Sequence, residues 1–142
     1  MNYSITNLTQ VADCDALLSW AAKEQADLNF KRISDERLTA RYAENAQELD
    51  AVLQGVLAEL TATETIIAVL PEGPSKEDAI NKRTRLEYKK FLLETRRESY
   101  GSVALLEKEM DLARVMQELT EVDAFILSVN SRKAELQQQS AA

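Results

Sequence analysis

The breakers of helical structure stand together at the centre of this chain. Residues 71–74 read Pro-Glu-Gly-Pro, and no other proline occurs among the 142 residues. Proline removes a backbone donor and disfavours helix at the residue before it, whereas glycine permits turn conformations. The stretches on either side are rich in Ala, Leu, Glu, Gln, Lys and Arg, which favour helix. The sequence therefore predicts an all-α fold, a long antiparallel helical hairpin that is coiled-coil-like, with one turn at 71–74.

The expected organisation is a single helical domain over residues 1–142. Its parts are arm one at about 10–70, the turn at 71–74, arm two at about 75–136 and a frayed tail at 137–142. A short polar lead-in precedes arm one, whose first helical residue should lie between Thr9 and Asp13. Ser75 is a polar residue followed by two acids, and it is the expected N-cap of arm two.

Two weaker points interrupt the helical pattern. Around 31–36 the apolar stripe shifts and Ser34 precedes two acids, while 99–102 contains Gly101. We interpret both as kinks. If they are chain reversals instead, the alternative fold is a compact three- or four-helix bundle.

Both arms carry apolar residues at alternating steps of three and four, which is the pattern of a heptad seam. In arm one the seam comprises Leu49, Leu53, Val56, Leu60, Thr63, Ile67 and Leu70. In arm two it comprises Leu105, Leu112, Val115, Leu119, Val122, Ile126 and Val129. Further apolar residues widen both stripes beyond what two helices can bury, and exposed apolar area is unfavourable. We therefore expect a homodimer, or a higher homo-oligomer, built as a four-helix bundle.

The charges are unevenly distributed along the chain. The formal net charge is −7, yet residues 82–97 hold seven basic and two acidic side chains, a net charge of +5. If the chain reverses at its centre, this segment lies beside residues 48–63, which contain three acids and no base. Opposite charges on the two arms favour the register that the turn imposes.

The sequence offers little chemistry. Without a single histidine it cannot form the Glu-x-x-His metal sites of helical bundles, and its three glycines are too scattered for a phosphate-binding loop. Cys14 lies on the apolar face of the first helix and has no histidine to activate it, so it reads as a small buried hydrophobe. We expect no enzyme activity, no metal and no cofactor.

The location is predicted from equally few signals. The first residues lack the basic and apolar regions of a secretory signal, and no apolar run approaches the roughly 20 residues that span a bilayer. The lone cysteine favours a reducing compartment. A cytoplasmic protein without a membrane span is the expectation.

The function that these features favour is a non-enzymatic scaffold, adaptor or chaperone-like protein that binds another, unidentified protein. The proposed docking point is the apolar tip before the turn, formed by Ile66, Ile67, Val69 and Leu70; its competing interpretation is that these residues only close the end of the bundle. Trp20 and Leu17 form a second candidate patch near the other end. The alternative function is nucleic-acid binding by a basic face, with aromatic residues between its charges: Lys82, Arg83, Arg85, Lys89, Lys90, Arg96 and Arg97. The acidic net charge weighs against this alternative, and nucleic acid is not the partner we expect.

Overall fold

The computed structural model describes all 142 residues and is all-helical, with 91% of residues in helices and no strands. A 3-10 turn at Ile5–Asn7 precedes three α-helices, which are α1 (Val11–Val69), α2 (Pro74–Tyr100) and α3 (Ser102–Ala141). The predicted all-α class is confirmed, and α1 begins within the predicted range of residues.

The helices contribute to two compact units. One comprises residues 1–36 and 110–142, and the other comprises residues 37–109. Each unit is described by itself below. The single-domain organisation stays a prediction.

The central connection differs in detail from the expected one. α2 begins at Pro74, and its N-cap is Gly73 rather than Ser75. Gly73 has φ +152°, a conformation that side chains disfavour. Pro74 then occupies the first helical turn, where its fixed φ suits the helix and its missing N–H costs nothing. The Pro-Glu-Gly-Pro motif thus ends one helix and starts the next.

Only one of the two predicted interruptions is a break in the helix. Residues 31–36 are helical throughout, so Ser34 caps no new helix and the chain does not reverse there. The alternative fold, a compact three- or four-helix bundle, therefore has no chain reversal at 31–36. At Gly101 the helix does stop for one residue, and a Cβ there would lie 2.5 Å from the carbonyl oxygen of Arg97. A glycine is therefore required at this position.

Both ends of the chain are more ordered in structure than the sequence suggests. α3 continues to Ala141 instead of fading near Leu136. Leu136 is buried against Cys14 and Val129, and this packing holds the last turns of the helix in place. The polar lead-in places its apolar Ile5 and Leu8 against the same cluster.

The predicted seam of arm one is the buried side of α1 in the 37–109 unit. Leu53, Val56 and Leu60 are buried with Leu86 and Leu93 of α2, while Thr63 is buried and donates a hydrogen bond to the carbonyl of Glu59. Leu49, Ile67 and Leu70 are half-buried. The seven α3 seam positions are likewise half-buried or buried, as predicted.

The apolar residues that widen the stripes are mostly left in solvent. Val52, Ile66, Leu106, Met110 and Met116 are all exposed. The described chain therefore leaves apolar helix surface uncovered, as the breadth of the pattern indicated.

By length and composition, α1 could cross a membrane. Its most apolar 18-residue stretch has a mean hydropathy of 1.4 and is 22% buried. The sequence analysis expected no apolar run of spanning length. Glu59 and Glu64 interrupt the apolar residues of α1 before the turn, but a mean hydropathy over 18 residues can stay high despite such interruptions. Core helices of soluble proteins pass the same test, so it assigns no membrane.

Candidate functional site

The basic residues of α2 divide into two groups. Three of the predicted seven lie at intervals of seven residues and pair with acids: Arg83 with Glu87 at 4.0 Å, Lys90 with Glu94 at 3.9 Å, and Arg97 with Asp50 of α1 at 3.8 Å. Lys76 precedes them by the same interval and pairs with Glu72 at 2.8 Å. These cations flank the buried Leu86 and Leu93, so they belong to the packing between α1 and α2.

The other four predicted basic residues are exposed, and no acid lies within ion-pair distance of them. Lys82, Arg85, Lys89 and Arg96 share one side of α2 with Leu92 and Ser99, at steps of three and four. We call Lys82, Arg85, Lys89, Leu92, Arg96 and Ser99 the α2 outer row. The row carries four positive charges and no acid.

A matching row runs along α1 beside its buried side. It comprises Asn45, Glu48, Val52, Gly55, Glu59 and Ala62, again at steps of three and four, and we call it the α1 outer row. Glu48 and Glu59 are exposed and form no ion pair, and the row has no base. Beyond the row the same line of residues reaches the tip, where Ile66 and Val69 are 50% and 77% exposed.

Part of each outer row borders one groove in the 37–109 unit, and we call the surface formed by this groove and the two rows the groove face. The groove has a volume of about 550 Å³ and is lined by Asn45, Glu48, Leu49, Val52, Lys89, Leu93, Arg96 and Tyr100. Its α1 wall carries the negative charge and its α2 wall the positive charge. The floor is apolar, formed by the buried sides of the two helices.

Gly55 lies in the α1 outer row in the middle of a long helix. A Cβ at this position would meet no atom within 4 Å. Nothing within the chain requires glycine here, although glycine costs a helix about 1 kcal/mol relative to alanine. A close helix approach, the reason that the sequence suggests, is therefore not made inside the chain.

The predicted apolar tip is only half available for docking. Ile67 and Leu70 continue the buried side of α1 and are half-buried, whereas Ile66 and Val69 are exposed. One pair is thus partly shielded from solvent, and the other pair faces solvent.

The aromatic residues of the basic segment are not placed among the free cations. Tyr88 and Phe91 are exposed, yet neither lines the groove, and both lie on parts of α2 turned away from buried Leu86 and Leu93. The groove lining therefore includes the free cations Lys89 and Arg96 but neither of these two rings.

The second candidate patch belongs to the other unit. Trp20 is 53% exposed and packs edge-to-face on Phe125, with 6.0 Å between ring centroids, whereas Leu17 is half-buried against the Cys14 cluster. Phe125 also contacts the ring of Tyr3 at 5.1 Å. The patch is thus one exposed indole that packs on half-buried Phe125, which in turn packs on half-buried Tyr3.

The ends of this unit are tied by polar contacts that the sequence did not reveal. The Tyr3 hydroxyl donates a hydrogen bond to Glu121, and this bond raises the pKa of Tyr3 above its ordinary value of 10.0. Arg132 donates to the carbonyl of Leu8 at 3.0 Å, and Lys133 pairs with Asp15 at 2.7 Å.

The residues with chemical potential are dispersed or buried. Cys14 is fully buried, as predicted for a core residue. No three Cys, Asp or Glu side chains are grouped so that they could hold a metal ion. The groove face combines unpaired charges of both signs with exposed apolar residues, and it is the candidate site.

No protein-family model matches this sequence, and neither the curated proteins nor the solved structures include a detectable relative. The function must therefore be argued from the residues of this chain.

Proposed function

We propose that this protein is a non-enzymatic helical scaffold, adaptor or chaperone-like protein that acts in the cytoplasm by binding other proteins. The observation that carries the proposal is the apolar surface left in solvent along helices that already have a buried side. Val52, Ile66, Val69, Leu92 and Leu106 exemplify it. Exposed apolar surface of this extent is typical of interaction sites.

The architecture that we propose is an antiparallel hairpin of two arms that dimerises into a four-helix bundle. The hairpin is supported by the four residues between Val69 and Pro74, by the Arg97–Asp50 ion pair and by the shared α1–α2 core. The dimer is supported by the exposed outer rows, since a second pair of helices would cover them. Two identical chains satisfy this need with one closed interface.

Light scattering coupled to size-exclusion chromatography tests the dimer. At tens of micromolar we expect the mass of two 16.0 kDa chains. A mass of one chain at that concentration would remove the four-helix arrangement.

The exposed half of the tip is the proposed docking point for the protein partner. Val69→Asp should abolish capture of the partner, because it puts a charge on the most exposed apolar residue there. Ala68→Asp is the matched control, since Ala68 is also exposed and lies on another side of the helix. Partners captured by wild type and by the control, but not by Val69→Asp, are identified by mass spectrometry. Equal capture by all three proteins would contradict the assignment.

Nucleic-acid binding is the second candidate, and the four unpaired cations of the α2 outer row are the observation that favours it. Phosphate contacts of this kind give affinity that falls steeply with salt. Fluorescence anisotropy with labelled single-stranded and duplex DNA, at 50 mM and 200 mM salt, decides the matter. We expect negligible binding, and tight salt-sensitive binding would favour this second function over the first.

A further inference from the structure

We propose that a second copy of this chain covers the groove face, with the α1 outer row of each copy lying against the α2 outer row of the other. The inference rests on the proposed homodimer and specifies the surface that forms it. It is argued from the 37–109 unit alone.

Charge selects this pairing of rows. The α1 outer row is acidic through Glu48 and Glu59, the α2 outer row holds four cations, and neither set has an ion-pair partner within the chain. Placing like rows together would oppose like charges. Placing unlike rows together satisfies both, and in a two-fold dimer every such contact occurs twice. A two-fold axis parallel to the helices produces this arrangement.

The register of the charges also fits. A rotation about an axis parallel to the helices keeps every residue at its own height, so the levels of one chain apply to the pair. The Arg97–Asp50 contact fixes these levels. Counting from it in opposite directions along the helices, Glu59 is level with Tyr88, one residue from Lys89. This offset is about 1.5 Å.

The same count places Glu48 level with Ser99, three residues from Arg96. At 1.5 Å per residue this is an offset of about 4.5 Å, which the long side chains can span. Each glutamate of the α1 outer row therefore meets a cation of the second copy without any shift of the helices.

The uncharged members of the rows suit the same occupant. Val52 and Ala62 lie among the glutamates, and Leu92 lies between Lys89 and Arg96, so the pairing covers apolar surface that is exposed in one chain. Gly55 gives a facing helix room to approach, in a place where the chain itself has no neighbour. Interfaces between helices commonly combine such an apolar centre with flanking ion pairs.

A nucleic acid fits the groove face less well. Its phosphates would reach Lys89 and Arg96, but Glu48 lines the same groove and would repel them. A second copy meets both signs of charge, so it is the occupant that the observations favour.

Charge reversal on one row at a time tests the proposal. The variants are E48K/E59K, which reverses the α1 outer row, and K89E/R96E, which reverses part of the α2 outer row. Either change replaces four proposed attractions per dimer with four repulsions. Each variant alone should dissociate about tenfold to a hundredfold more readily than wild type, measured by sedimentation equilibrium.

Mixing the two variants provides the decisive measurement. In the mixed dimer the reversed α1 outer row meets the reversed α2 outer row, and the two unchanged rows meet each other, so affinity should return to that of wild type. One variant carries a distinguishing mass tag, and native mass spectrometry counts the mixed dimers. Q54K/E64K is the control, because both residues are exposed on the other side of α1. It should dimerise like wild type, and circular dichroism checks that every variant keeps its helix.

The outcomes separate this inference from the proposed dimer. If wild type is a monomer, the dimer and the inference both fail, and salt-sensitive DNA binding lost in K89E/R96E would assign the cations to nucleic acid. If wild type is a dimer and both reversed variants dimerise equally well, the dimer stands and the groove face is not its interface. If the variants dissociate but the mixture does not recover, the proposed pairing of rows is wrong.

Discussion

Replacing Gly55 with alanine should have opposite effects on the single chain and on the dimer. In the single chain the new Cβ meets no atom within 4 Å, so only helix propensity changes. Alanine is better than glycine in a helix interior by about 1 kcal/mol, and the free energy of unfolding should rise by that amount. For a chain of this length, the corresponding rise in melting temperature is about 3 °C.

In the dimer, the same methyl group lies where the second copy comes closest. Overpacking of a tight contact costs about 1–3 kcal/mol, and the contact occurs twice in the dimer, so Gly55→Ala should raise the dimer dissociation constant by about thirtyfold or more. The two effects are separated by measuring urea unfolding in the E48K/E59K background, at a concentration where sedimentation shows a monomer, and dissociation in the wild-type background.

Ala58→Gly is the matched control for propensity. Ala58 is exposed, lies one turn from Gly55 and is outside both outer rows. It should lower the unfolding free energy by about 1 kcal/mol and leave dissociation unchanged. The reasoning is refuted if Gly55→Ala destabilises the monomeric background, or if it dimerises as tightly as wild type.

Three further predictions concern single positions. The Cys14 thiol should resist Ellman's reagent in native buffer and react in urea, and Cys14→Ser should lower the unfolding free energy by about 1–3 kcal/mol more than Cys14→Ala, because it buries a hydroxyl without an assured partner. In a spectrophotometric titration of the four tyrosines, Tyr3 should ionise above pH 10.0, and Glu121→Gln should remove that late step. The pKa of Tyr3 is higher in the folded than in the unfolded chain, so the hydrogen bond stabilises the fold below pH 10.0. This stabilisation is lost as pH rises through the raised pKa. Gly101→Ala should lower the urea midpoint by an amount equivalent to about 1–3 kcal/mol, since its Cβ would collide with the carbonyl of Arg97, and an unchanged midpoint would show that the backbone relaxes freely there.

The buried side of α1 could be predicted because the spacing of its apolar residues indicates it directly. Leu53, Val56 and Leu60 recur at steps of three and four without interruption, and all three are buried. The central connection could be predicted as well, because proline and glycine determine the allowed backbone conformations by themselves. The N-cap of α2 is Gly73, two residues before the predicted Ser75. Ser75 has the side-chain chemistry of a typical cap, but the turn needs a positive φ just before the helix, which glycine adopts.

The side of α2 that packs on α1 could not be predicted from apolar periodicity, because basic residues flank its core. Lys76, Arg83, Lys90 and Arg97 recur every seven residues beside the core, at positions where a search for apolar periodicity expects leucine. Their long aliphatic stems can cover apolar neighbours while the charged ends reach acids. The helix therefore looked weakly patterned in sequence although its heptad spacing is regular.

The candidate site could not be predicted from the local sequence, because it depends on how α2 packs on α1. Lys89 and Lys90 are neighbours in sequence, yet one lines the groove and the other pairs with Glu94. Which of the two is free follows from the side of α2 that packs on α1. The sequence predicted that these oppositely charged segments lie side by side, but which of their charges stay unpaired could be read only from the placement of both helices.

The cationic heptad positions of α2 also bear on how the proposed bundle chooses its neighbours. A helix whose core-flanking positions are Arg83, Lys90 and Arg97 cannot pack closely on its own copy without opposing like charges, whereas α1 supplies Asp50 to it and has an apolar buried side. Such repulsion costs an incorrect pairing more than the correct ion pairs contribute to stability. The same rule, applied outward, would keep α2 of one copy beside α1 of the other. One charge division, acidic for α1 and basic for α2, would thus specify both the pairing within the chain and the pairing between chains.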